Sequence, residues 1–125
     1  MGKHAEDFVR HNFLTHGIDF SVVMIEAAEL SKLTDFTDRL HFEVGDVRNT
    51  RVGRQFDAVV SLFHVASYQS TNQDLMAMFA TAAKHLKPGG VFVFDFWCES
   101  AVLTDRPTVR VKRMKNDEIE VLRIS

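Results

Sequence analysis

Four places put polar or aromatic side chains where an α/β protein does its chemistry. They are Asp19 in "GIDFS", Asp46 in "VGDV", Leu62 to His64 in "SLFHV", and Asp95 to Trp97 in "DFW". Each closes a run that reads as a strand. In open α/β sheets, ligands bind outside the carboxyl ends of the strands, and a carboxylate there accepts the hydroxyls of a ribose. One Asp in such a place is more simply a strand stop and turn former. Two at consecutive strand ends point toward a nucleoside pocket. His64 has an unperturbed pKa of roughly 6.5, which would let it take a proton at neutral pH. A His in a polar loop after a strand needs no such role, and Tyr68 is as suited to packing as to touching a substrate. The remaining histidines, His4, His11, His16, His41 and His85, show no i,i+3 or i,i+4 spacing and no Cys partner, which argues against zinc. Cys98 has no basic neighbour in sequence to activate it.

These positions need elements to hold them. "HAEDFVRHNF" predicts a short amphipathic helix with Ala5, Phe8 and Val9 inward. "LTHGID" predicts a strand ending at Asp19. Ser21 is a good N-cap for the helix "SVVMIEAAELSKL". "LHFEVGD" alternates, with Leu40, Phe42 and Val44 on one side and His41 and Glu43 on the other, so it predicts a strand near a sheet edge. "FDAVVSLF" and "GVFVFDFW" are nearly all apolar, as fully buried parallel strands should be. Between them Asn72 is the expected cap of the helix "QDLMAMFATAAKHL", whose apolar face also accounts for Met76 and Met78, and Pro88 and Gly89 are expected to end it. "TVRVKRMKNDEIEVLRI" alternates around "KNDE", predicting an antiparallel hairpin with Asn116 and Asp117 in the turn. The "RVKRMK" stretch reads as its solvated face. The order is that of an open α/β sheet with a β appendage.

The 125 residues suit one small domain, and a hydrophobic content of 46% with eleven Phe supplies a core. A net charge of −2 gives no basic field for nucleic acid. One cysteine excludes an internal disulfide and fits a reducing compartment. "MGKHAEDFVR" is charged from the start, and no apolar run is long enough to span a membrane. The expectation is a soluble, cytoplasmic protein.

Read together, "GKHAEDF", "THGIDFSVVMIEAA", "FEVGDV", "FDAVVSLFHVASY" and "LKPGGVFVFDFW" resemble the class I S-adenosylmethionine-dependent methyltransferases. The nearest look-alikes are the small-molecule branch, including sugar N-methyltransferases. Each block is weak alone; "LKPGG" before an apolar strand, with "GIDFS" and "GD" at the right distances upstream, is strong jointly. The resemblance implies a Rossmann-like open, mostly parallel sheet with flanking helices. It implies S-adenosyl-L-methionine as cofactor and a small-molecule methyl acceptor, with no nucleic acid or membrane. It assigns Asp19 to the ribose hydroxyls, and Phe20 and Met24 to the side of the adenosine. Asp46 falls to the adenine amino group, and Val47 to the backbone N–H that meets the ring. Leu62 and Phe63 match the segment passing the methionine end, and His64 and Tyr68 match substrate-facing positions. Gly2 matches the last glycine of a loop whose backbone approaches the cofactor closely because no Cβ intrudes. The rest of that loop, and the first strand before it, would lie just ahead of Lys3.

The expectation is therefore a partial cofactor-binding domain over residues 1–100, with the first strand missing, and a hairpin appendage over 101–125 that begins a substrate-side or dimerisation region. A chain cut at both ends would hold the cofactor weakly, or act as a non-enzymatic binding or assembly module. A nicotinamide protein fits less well, because no Gly-x-Gly-x-x-Gly is present. In the family order the missing strand lies between "LTHGID" and "FDAVVSLF". Those two strands are expected to close up directly, to admit the hairpin, or to be covered by a second copy. The homodimer is favoured, because an open apolar edge invites pairing.

Overall fold

The computed structural model describes residues 2–32 and 38–98, and the backbone of two later strands, 111–115 and 120–124. The chain forms two compact units, Met1–Asp95 and Phe96–Ser125. The first contains α1 (Lys3–Arg10), β1 (Thr15–Asp19), α2 (Val22–Ser31), β2 (Leu40–Val44), β3 (Phe56–Ser61), α3 (Asn72–His85) and β4 (Leu86–Phe94), with a 3-10 turn at Val65–Tyr68. The second contains β5 (Val111–Lys115) and β6 (Glu120–Ile124), an antiparallel hairpin in which Lys115 faces Glu120. The expected turn at Asn116 and Asp117 lies outside the described residues.

The parallel strands come as two pairs. β1 runs beside β2, with Asp19 facing Val44, and β3 runs beside β4, with Ser61 facing Phe94. Doubly wound sheets of this kind take the order 3-2-1-4-5. The two pairs fill places 2 and 3 and places 4 and 5. No described strand lies in place 1, between β1 and β3. Direct closure of β1 onto β3 is therefore overturned among the described residues. β1 and β3 stay separate although side chains reach between them: the His16 and Phe56 rings lie 6.2 Å apart.

Local chemistry explains the elements and corrects three expectations. Ser21 caps α2 as its type predicts, its Oγ accepting from the Met24 N–H at 3.4 Å. The cap of α3 is Thr71, not Asn72: its Oγ1 accepts from the Asp74 N–H at 3.0 Å and donates to the Asp74 carboxylate at 2.8 Å. Nor do Pro88 and Gly89 end α3. The helix stops at His85, and Leu86 already pairs with Phe56 as the first residue of β4. The next matched residues are Ala58 and Val91, so residues 87–90 form a bulge, the setting in which a strand tolerates proline. Gly90 is required there, since a Cβ would come within 2.9 Å of the Lys87 carbonyl and 3.0 Å of the Asp57 carbonyl.

The third correction concerns burial. β3 and β4 are not buried on both faces. Phe92 and Phe94 meet Phe79 of α3 at ring distances of 5.9 and 5.3 Å. The opposite face, where Ala58 faces Val91 and Val60 faces Val93, leaves Val91 56% and Val93 49% exposed. Apolar strands are buried only where a helix covers them, and α3 covers one face. The core is split accordingly: Leu40, Val9 and Ala28 are buried around β1–β2, and Met78, Thr81, Ala82 and His85 line the inner face of α3. His85 ties α3 to the chain entering β3. Its Nε2 accepts from the Val52 N–H at 3.0 Å, which leaves Nδ1 to donate to the Thr81 carbonyl at 2.8 Å.

Candidate active site

The carboxyl ends of β1, β2 and β4 each carry an acid, and all three are held by the backbone. Asp19 Oδ1 accepts from the Ser21 N–H at 2.8 Å, a turn that directs the chain into α2. Its other oxygen has no partner among the described residues. The Asp19 carbonyl accepts from Gly45 N–H at 2.9 Å, drawing the end of β2 against the end of β1. Phe20, 77% exposed, follows Asp19 directly, and Met24 lies half-buried in the first turn of α2.

Asp46 opens a tight turn in which its carbonyl accepts from the Asn49 and Thr50 N–H groups at 3.0 and 2.8 Å. Its carboxylate is gripped by Arg48. Oδ1 accepts the Arg48 backbone N–H at 2.9 Å, Nε lies 3.0 and 3.1 Å from the two oxygens, and Nη2 reaches Oδ2 at 2.7 Å. The Arg48 side chain, with help from its backbone N–H, holds the Asp46 carboxyl below the usual range. Arg48 also reaches Asp74 in the first turn of α3, Nη1 to Oδ1 at 3.0 Å. The Thr71 hydroxyl and Arg48 together hold the Asp74 carboxyl low. Val47 is half-buried within the turn.

Asp95, just past β4, accepts from the backbone N–H groups of Phe63 and His64 at 3.1 and 2.7 Å. Both residues have left-handed backbones, with φ of 64° and 60°. For residues with a Cβ this conformation costs energy, and it clusters where a structure over-determines it. Here the Asp95 carboxylate supplies the compensation. The His64 ring follows, its Nδ1 4.0 Å from Asp95 Oδ2. The turn at Val65–Tyr68 then leaves Tyr68 78% exposed.

The sequence-derived candidates thus fall into two groups at the carboxyl ends of the strands. Asp19, Phe20, Met24, Asp46 and Val47 surround the ends of β1 and β2, and Leu62, Phe63, His64 and Tyr68 lie on the segment after β3. Gly2 caps α1 with φ of 68°. The space a Cβ would take there is held by the Phe42 ring at 2.9 Å, so packing alone requires a glycine. His4, two residues on, meets Phe63 at a ring distance of 5.2 Å, which brings the start of α1 beside the second group. Sequence reasoning missed Arg48 and Asp74, and it singled out Asp95 as a strand end without giving it a partner. Asp95 obeys the strand-end rule that singled out Asp19 and Asp46, and the Thr-x-x-Asp spacing of a helix cap would have found Asp74.

A family model described as a methyltransferase domain matches residues 1–90. The chain belongs to this methyltransferase-domain family. It is 42% identical over 96 residues to a dTDP-3-amino-3,4,6-trideoxy-alpha-D-glucopyranose N,N-dimethyltransferase of Streptomyces venezuelae. It is 31% identical over 96 residues to a dTDP-4-amino-2,3,4,6-tetradeoxy-D-glucose N,N-dimethyltransferase of Saccharopolyspora spinosa. Each match covers 77% of this chain but only 38% and 36% of the relative, so the chain spans little more than a third of these proteins. Among solved structures, 98% of the chain superposes on half of Streptomyces venezuelae DesVI with TM-score 0.78 and 31% identity. The same share superposes on 47% of the sugar N-methyltransferase KedS8 from Streptoalloteichus sp. with TM-score 0.81 and 28% identity. The fold is thus the Rossmann-like fold of methyltransferases. Among the described residues, no helix is long and apolar enough to cross a membrane.

Proposed function

We propose that this chain carries the adenosine side of an S-adenosylmethionine site in an N-methyltransferase acting on a small amino sugar. The observation that carries this reading is the pair of carboxylates, Asp19 and Asp46, at adjacent strand ends joined by the Gly45–Asp19 hydrogen bond. The names of the relatives supply the acceptor class, and one similar structure is of a SAM-bound amino pentose methyltransferase, CalS10. The residues fit the adenosine end of the cofactor. Asp19 keeps one carboxylate oxygen for ribose hydroxyls, Phe20 and Met24 offer apolar surface to a base, and Asp46 is an ionised acceptor beside Val47.

Bound cofactor supplies an electrophilic methyl group on sulfur. The chain's residues supply placement, which is most of what transfer to an amine lone pair requires. Leu62 and Phe63, in the turn fixed by Asp95, would border the methionine end with Gly2. His64 would face the acceptor and accept its proton, and Tyr68 would line the acceptor side. On the same reading, the edges of β1 and β3 favour a homodimer; light scattering across dilution reads this, and a monomer throughout would remove it.

Calorimetric titration tests the site. Because the contacts lie on the adenosine side, adenosine should bind saturably and S-adenosylhomocysteine no more than about tenfold tighter, a margin of about 1.4 kcal/mol. Absence of binding by both would sink the reading. A far larger gain for S-adenosylhomocysteine would move the site to the methionine end.

A further inference from the structure

We propose that Arg48 is a positioning residue that locks Asp46 as a one-place acceptor and thereby makes the site prefer a base with an amino group over one with a carbonyl. This rests on the reading of Asp19 and Asp46 as an adenosine site. A carboxylate offers about four lone-pair positions. Arg48 takes about three of those on Asp46: its backbone N–H on Oδ1, Nε–H shared between the oxygens, and Nη2–H on Oδ2. One position remains. It can take one hydrogen of an exocyclic amine, whereas a carbonyl oxygen set against it would be repelled.

The lock is itself held from outside the turn. Arg48 Nη1 donates to Asp74 at 3.0 Å, Thr71 fixes Asp74, and the Arg48 carbonyl accepts from Thr81 Oγ1 at 2.9 Å. Both anchors lie on α3, so the helix following the His64 segment also sets the pose of Asp46. An exposed ion pair contributes little to stability by itself. Several hydrogen bonds from one guanidinium instead fix direction, which is what discrimination between bases needs. Lysine lacks the planar fork and would not replace it.

The test is calorimetric binding of adenosine and inosine to the wild-type chain and to Arg48→Gln, Arg48→Lys and Asp74→Asn. The wild type should prefer adenosine by about tenfold or more, because the carboxylate repels the inosine carbonyl. Arg48→Gln and Arg48→Lys should bring the ratio down several-fold, since a freed Asp46 can swing away from that carbonyl, and Asp74→Asn should lower it less. In wild type the preference should persist to more acid pH than in Arg48→Gln. The charged groups facing Asp46 are Arg48 on its own turn and Asp74 on α3, and Arg48 holds its carboxyl low. An unchanged ratio in folded Arg48→Gln overturns the proposal. Should that variant not fold, an unchanged ratio in Asp74→Asn overturns it equally. Equal binding of both nucleosides by wild type refutes the lock but leaves the adenosine site standing, whereas binding of neither refutes the site itself.

Discussion

The two parallel strand pairs solve different problems. The β1–β2 pair ends in Asp19 and Asp46, whose side chains are shaped by the turns that follow them. The β3–β4 pair ends in a turn whose backbone is held by an acid, Asp95, with Phe63 and His64 in left-handed conformations. In the first pair the carboxylates are the features presented. In the second each carboxylate oxygen of Asp95 accepts a backbone N–H and so holds a strained segment in place. The cores differ too. Leu40, at the start of β2, is fully buried. Val91 and Val93 of β4 face outward, because α3 covers only the opposite face. Carboxyl ends of strands are thus not equivalent sites, and the partners of each acid decide which presents itself and which supports another group.

The comparison can be broken first at the cores. Leu40→Ala should destabilise by about 2–5 kcal/mol in urea unfolding, the range for emptying a packed site. Val91→Ala, on the open face, should stay within about 0.5 kcal/mol, as exposed substitutions do. Similar losses in both would mean that the second face is covered in solution. A smaller effect separates the helix starts. Thr71→Ala should cost about 1 kcal/mol through the lost cap, with a further loss where Arg48 leans on Asp74, and Asn72→Ala should cost almost nothing. Reversed values would restore Asn72 as the cap.

The smallest expected effect is a pH slope. Burial pushes the His16 imidazole below its ordinary 6.5, against the pull of Glu43 at 3.4 Å. A folded-state pKa below the unfolded one means that the unfolded chain binds the proton first. The stabilising contribution is then present above 6.5 and is lost as pH falls toward the folded value. Wild type should therefore lose melting temperature below pH 6.5, and His16→Gln should lose less over the same interval. Parallel slopes would remove His16 as the cause.

Much of this was legible in the chain. Alternation marked β2, and the apolar runs located β3 and most of β4. Ser21 gave the start of α2, and the alternation on both sides of "KNDE" gave the antiparallel β5–β6 pair. What failed had physical reasons. Thr71 and Asn72 are both good caps, and only the Thr71–Asp74 spacing separates them. "LKPGG" carries two helix breakers, yet they sit in a strand bulge, because Leu86 had already left the helix to pair with Phe56. Apolar composition foretold buried strands, but burial depends on what covers a face, which no strand encodes by itself. Asp19 and Asp46 were visible as strand-end acids. Arg48 was not, because its partners lie on its own turn and 26 residues away on α3.

The central claim is that the first pair's carboxylates present themselves to an adenosine. Its most direct test is the affinity of S-adenosylhomocysteine for wild type, Asp19→Ala and Asp57→Ala. Asp57 is an exposed acid at the other end of β3, paired with Lys87. Asp19→Ala should weaken binding by about 1.5–3 kcal/mol, the range for hydrogen bonds to a charged group, while Asp57→Ala matches wild type. Undiminished binding by Asp19→Ala, or an equal loss in both variants, would contradict the account.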